Sequence, residues 1–126
     1  MTEIAAIAAC TILAALAVFQ AALIAGAPIG RFAWGGQHEL LPRRLRIGSA
    51  VSIVLYAAFA LVILERAGLV TIFGNTGFLQ VACWVLFGYF TLGIVMNVIS
   101  RSKPERNTMT PVALVLAVLV LVVALG

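Results

Sequence analysis

Four uniformly apolar stretches, separated by polar connections, make up most of the chain. The first runs from Ile4 to about Ala25, with Thr11 and Gln20 as its only strongly polar side chains. The second runs from Ile47 to Leu64 and is closed by Glu65-Arg66. The third runs from about Gly77 to Ile99, and the fourth from near Pro111 to Gly126. Each stretch is apolar all round rather than along one stripe. About 20 residues rising ~1.5 Å each cross the ~30 Å hydrocarbon core of a bilayer. A barrel strand would alternate in polarity over about ten residues, and no such dyad pattern is present. Inside lipid a helix satisfies its backbone within its own segment. The pattern therefore predicts an all-α, four-transmembrane-helix bundle. Its spans lie at about 4–25, 47–64, 77–99 and 110–126, in a single integral membrane domain over 1–126. The fourth span, at about 16–18 residues, is short, and its Pro111 suits a first helical position. Thinning of the bilayer or snorkelling at the ends would accommodate it.

Composition supports this reading. Of the 126 residues, 64% are hydrophobic and 10% charged, against about 45–50% and about 25% in soluble domains. A water-soluble protein of this size could not bury so much apolar surface. The net charge of +4 is distributed unevenly. Arg31, Arg43, Arg44 and Arg46 lie in the connection 26–46. Arg101, Lys103 and Arg106 lie in 100–109, and only Arg66 lies elsewhere. By the positive-inside rule both connections are cytoplasmic, so the N-terminus and C-terminus are both outside. Arg43, Arg44, Arg46, Arg101 and Lys103 are candidate contacts for anionic lipids, unless their role is topology alone. Basic residues confined to short inter-helix connections do not make a nucleic-acid surface, and no nucleic-acid partner is expected. No basic segment precedes the first apolar run, so a cleavable signal peptide is not expected, and Ile7-Ala8-Ala9-Cys10 comes too early for a lipoprotein box. Cys10 and Cys83 both fall in apolar stretches on the outer side of this topology. Two small buried thiols are the simpler reading than a disulfide. No Cys/His cluster, nucleotide-loop spacing or other cofactor motif is present, so no metal or cofactor is expected.

The spans hold few groups able to do chemistry. None contains Asp or Lys, and no Glu or Arg falls near mid-membrane. Proton- or cation-coupled export normally needs an ionisable residue there. This weighs against the small four-helix multidrug exporters, which carry a carboxylate in their first helix. Gln20, Ser49, Ser52 and Asn97 fall at similar depth under the first connection and form a candidate polar pocket. The competing reading is hydrogen bonding between helices. In the third span Gly77, Gln80, Trp84, Gly88, Thr91 and Val95 share one face, which reads as a helix-packing seam. Ser52, Tyr56, Phe59 and Ile63 form a second face, and the Tyr56 hydroxyl there needs a partner. The connection 26–46 is the longest, rich in glycine and aromatics, and Trp34, His38 and Glu39 make it a candidate site. An acid–base pair of His38 and Glu39 would suit a lipid-modifying enzyme. A solvated pair in an interfacial loop is the plainer reading, and no catalytic residue is assigned.

Phe19-Gln20, Gly26-Ala27-Pro28, Trp34-Gly35-Gly36, Leu41-Pro42-Arg43-Arg44-Leu45-Arg46 and Asn97 with Ser100-Arg101-Ser102 carry a resemblance. The chain resembles an uncharacterised family of small bacterial four-helix integral membrane proteins, most closely from Gln20 to Ser52. The resemblance implies a multi-pass protein of the bacterial cytoplasmic (inner) membrane and adds no mechanism. The expected function is a non-catalytic component or accessory subunit of a membrane assembly. The alternative is a small oligomeric transporter or channel for a neutral or anionic solute. Besides the lipid bilayer, a homo-oligomer or a membrane-protein partner would fit the small-residue faces.

Overall fold

The computed structural model describes all 126 residues. Four helices, α1 (Thr2–Ile24), α2 (Arg43–Arg66), α3 (Thr76–Val98) and α4 (Lys103–Leu125), follow one another with no strand. Each is long and apolar enough to cross a membrane. At ~1.5 Å per residue their 23 or 24 residues measure about 35 Å. The chain is an all-helical, multi-pass transmembrane bundle.

The helix ends have local causes. α1 stops where Gly26 adopts a φ of 96°, a left-handed conformation that glycine takes without a steric penalty. α2 starts directly after Pro42 and takes Arg43, Arg44 and Arg46 into its first turn. Cations at a helix N-terminus oppose the helix dipole, so local helix energetics do not explain them. α3 opens under Asn75, whose side chain accepts the Phe78 N–H at 2.9 Å.

The fourth helix starts at Lys103, not near Pro111. Ser102 caps it, Pro104 lies in its first turn, and Glu105 stands three residues after the cap. That is a complete start signal. Pro111 sits inside the helix, where it removes one N–H from the main-chain ladder. The helix is therefore as long as α1 and α3, and most of 100–109 is helix rather than loop.

α1 packs most extensively on α2, and α3 on α4; α1 with α4 and α2 with α3 close the bundle. The main core lies in the half of the bundle away from the basic connections. There Ala5, Ala6, Ala9 and Leu13 of α1 meet Ile63 of α2, Leu79 and Cys83 of α3, and Leu116, Val120 and Val123 of α4. Alanines at the seam let helix backbones approach closely, which is how helices associate in lipid. Cys10 and Cys83 are free thiols. At this end Glu65 accepts backbone N–H groups from Ile72, Phe73 and Gly74, ordering the α2–α3 connection. Arg66 donates to the carbonyls of Ala124 and Gly126 at the end of α4. The two neighbouring charges thus serve separate partners.

The face of α3 that enters this core is Leu79, Cys83, Leu86 and Phe90. The stripe Gly77, Gln80, Trp84, Gly88, Thr91 and Val95, expected to be a packing seam, lies on the exposed outer surface. In a lipid-facing helix both faces are apolar, so hydropathy cannot tell inside from outside. On α2 the expected face is inward: Tyr56 and Phe59 are half-buried and Ile63 fully buried.

Candidate functional site: a hollow half-bundle under a tryptophan-bearing loop

Toward the basic connections the packing gives way to a cavity of about 430 Å³. All four helices line it: Leu16 and Gln20 from α1, Ser52 and Tyr56 from α2, Phe90 and Asn97 from α3, and Glu105 and Leu116 from α4. Its walls are mostly apolar. The volume falls in the range of ~300–1,000 Å³ typical of small-molecule sites, which likewise combine apolar walls with a few polar groups.

The connection between α1 and α2 covers the cavity. It folds into two short 3-10 turns, Gly30–Phe32 and Trp34–Gly36. Trp34, Gly35 and Gly36 adopt φ values of 53°, 79° and 71°. Glycine takes such angles freely, whereas a tryptophan there is strained, by about 1 kcal/mol or more. Tertiary contacts hold it. The Trp34 indole N–H donates to Ser49 Oγ at 3.2 Å, and the ring lies against Gly48. The Gly35 N–H donates to the Glu105 carboxylate at 3.2 Å. Gly36 packs so tightly on Ser102 that no β-carbon would fit, and the Ser102 hydroxyl donates to the Arg31 carbonyl. The Gly30 N–H donates to the Glu39 carbonyl at 2.9 Å and closes the loop on itself. The Arg46 guanidinium donates to the Leu41 carbonyl at 2.9 Å.

Outside the cavity lies a second recess of about 500 Å³, lined by Gln37, His38, Arg44 and Ser100 among others. Trp34, Met96, Asn97 and Glu105 line both spaces. An apolar chamber and a polar vestibule thus share one wall, in which Trp34 and Glu105 are the largest and the only charged member respectively.

The structure distributes the residues singled out in the sequence as follows. Gln20, Ser52 and Asn97 line the inner cavity. Ser49 does not; it is fully buried behind the loop as the acceptor for Trp34. Only one of the expected inter-helix hydrogen bonds forms within the pocket, from the Gln20 amide to the Tyr56 hydroxyl at 3.4 Å. Ser52 and Asn97 bond their own helix, through the carbonyls of Gly48 and Gly93, as such residues do in apolar helices. His38 lines the vestibule, whereas the Glu39 side chain is exposed and lines neither space. Arg43, Arg101 and Lys103 are exposed at the basic end, Arg44 lines the vestibule, and Arg46 is engaged in the loop.

Glu105 is the residue that sequence reasoning missed. It is 8% exposed, and accepts from the Gly35 N–H and the Ser100 hydroxyl. The signal was there: Ser102 followed three residues later by Glu105, ahead of an apolar run, marks a helix start. It places Glu105 in the bundle rather than in a loop.

Fold and site together define a polytopic helical membrane protein with a half-bundle cavity lined in part by the structured loop between α1 and α2. Comparison with family models, curated proteins and solved structures finds no match to the chain.

Proposed function

We propose that the chain is a non-catalytic component of a membrane assembly, and that its work is to hold an apolar or amphiphilic molecule in the hollow half-bundle. The membrane is the bacterial cytoplasmic membrane, and the basic end faces the cytoplasm by the positive-inside rule. One observation carries the reading. The bundle is close-packed at one end and hollow at the other, where an apolar chamber and a polar vestibule share a wall of Trp34, Met96, Asn97 and Glu105. An amphiphile has that same division between body and head. The packed half weighs against a pore through one bundle, because Ala6, Ala9, Ile63, Cys83, Val120 and Val123 are all 0% exposed. The transporter alternative then needs either opening of that half or a path between chains. A lipid-modifying reaction has less support, since Glu39 does not join His38 at the vestibule.

The test is mass spectrometry of the protein extracted gently from its native membrane, alongside a variant with the cavity filled. Gly93→Leu serves, because Gly93 lines the cavity and the nearest atom to a β-carbon there is Ala113 Cβ at 3.9 Å. Wild type is expected to retain a small molecule at fixed stoichiometry, and a folded Gly93→Leu to lose it. Retention of the same molecules at the same level in both proteins would overturn the reading.

A further inference from the structure

The inner cavity has a charge imbalance that its own walls do not correct. Glu105 is the only charged side chain lining it, and no basic side chain reaches it. The two hydrogen bonds to Glu105 come from neutral donors, the Gly35 N–H and the Ser100 hydroxyl. A carboxylate shielded from water is costly unless a cation compensates it. Arg44 and His38 line the vestibule, which Glu105 also borders, but neither lines the inner space.

Two independent features point the same way. Phe19, Trp34, Tyr56, Tyr89 and Phe90 line the cavity, as does Phe32, whose ring already carries the Arg31 guanidinium at 5.1 Å, and the faces of aromatic rings attract cations, including quaternary ammonium groups. Gln20 also lines it, is 8% exposed and leaves Oε1 without a partner. Exchanging the amide's O and N would leave the nitrogen unpartnered instead, so the side chain keeps unused hydrogen-bonding capacity either way.

We propose that the inner cavity takes a lipophilic organic cation, an amine or a quaternary onium group on an apolar body. The charge sits toward Glu105 and Trp34, whose neighbour Gly35 bonds that carboxylate, and the body lies against Leu16, Phe90 and Leu116. This rests on the binding reading above and assigns its ligand a charge. It leaves in place the expectation from the sequence that the lack of a mid-membrane carboxylate weighs against cation-coupled export, because Glu105 lies in the first turn of α4, at the basic end of the bundle.

Tetraphenylphosphonium and tetraphenylborate make a matched pair of probes, alike in shape and opposite in charge; triphenylmethanol adds a neutral one. Binding is measured by equilibrium dialysis on the full chain in phosphatidylcholine nanodiscs, with empty discs subtracted. The phosphonium is expected to bind saturably, and the borate to show no saturable component. Glu105→Gln, shown to be folded by its thermal transition, is expected to weaken the phosphonium by about tenfold or more, as loss of one partly buried charge interaction should. Equal binding of both ions, or undiminished phosphonium binding by folded Glu105→Gln, would overturn the cation assignment and leave the binding reading intact. Saturable binding of triphenylmethanol alone would do the same. No saturable binding of any probe would overturn both. Should Glu105→Gln fail to fold, the phosphonium–borate comparison on the wild type decides by itself.

Discussion

The Trp34 indole rests on the α-carbon of Gly48: a β-carbon there would lie 2.9 Å from the ring's Cη2. One residue further along α2, Ser49 Oγ receives the indole N–H. Gly48 supplies the space and Ser49 the acceptor, and together they seat the one residue of the covering loop that combines a bulky ring with a left-handed backbone. This seat fixes the wall between chamber and vestibule.

Gly48→Leu should therefore unseat the ring. Overpacking of this kind costs about 1–3 kcal/mol. Ser49→Ala keeps the space but orphans the indole N–H, at about 1 kcal/mol. Both are read by thermal unfolding and tryptophan emission in a Trp84→Phe background, since Trp84 is the only other tryptophan. Gly48→Leu is expected to shift the emission to the red and Ser49→Ala to shift it less. Unchanged emission and stability in Gly48→Leu would mean the ring does not sit there.

The start of α4 separates two start signals by mutation. Ser102 accepts the Glu105 N–H, so Ser102→Ala should cost about 1 kcal/mol and increase hydrogen exchange in the first turn. Pro111→Ala restores a missing N–H within a helix, and should leave stability unchanged or raised. The reverse order of effects would put the helix start at Pro111.

These features differ in how plainly the sequence announces them. Number and class of helices are legible, because 20-residue apolar runs have few other uses. Which side of each helix faces inward is not. Lipid and core are equally apolar, so Leu79, Cys83, Leu86 and Phe90 look no more like a core face than the outward stripe through Trp84 and Gly88. The cavity was half legible: Gln20, Ser52 and Asn97 stand out as polar groups in apolar runs. Glu105 did not, because reading Ser100 to Arg106 as a basic connection hid the capping pattern that makes it helical. The roles of Gly48 and Ser49 depend on a loop folding back onto α2, which no local pattern specifies.

Alanines in α1 test inside against outside directly. Ala9 is 0% exposed and belongs to the core, while Ala15 faces outward. Ala9→Leu should destabilise by about 1–3 kcal/mol, and Ala15→Leu should stay within about 0.5 kcal/mol of wild type. On α3, Gly88→Leu should likewise leave the monomer's stability unchanged, because nothing lies within 4 Å of a β-carbon there. Thermal unfolding in one detergent measures all three. A destabilised Gly88→Leu, accompanied by loss of an oligomer on sizing, would make the outward stripe an interface between chains.

The opposite end of the bundle tests whether a single carboxylate orders a connection. Glu65 accepts three successive backbone N–H groups, those of Ile72, Phe73 and Gly74, which turn toward it where Gly74 adopts a φ of 71°. No other side chain accepts from those three donors. Glu65→Gln keeps one oxygen acceptor, and Glu65→Ala removes both. Hydrogen exchange at the three amides should therefore rise modestly in the first variant and strongly in the second, while exchange within α1 stays the same. Arg66 donates to Ala124 and Gly126 rather than to Glu65, so Arg66→Ala should loosen the last turn of α4 and leave the three amides protected. Equal loss of protection at Ile72–Gly74 in Glu65→Ala and Arg66→Ala would mean that the two charges act as a pair, contrary to the separate roles assigned to them.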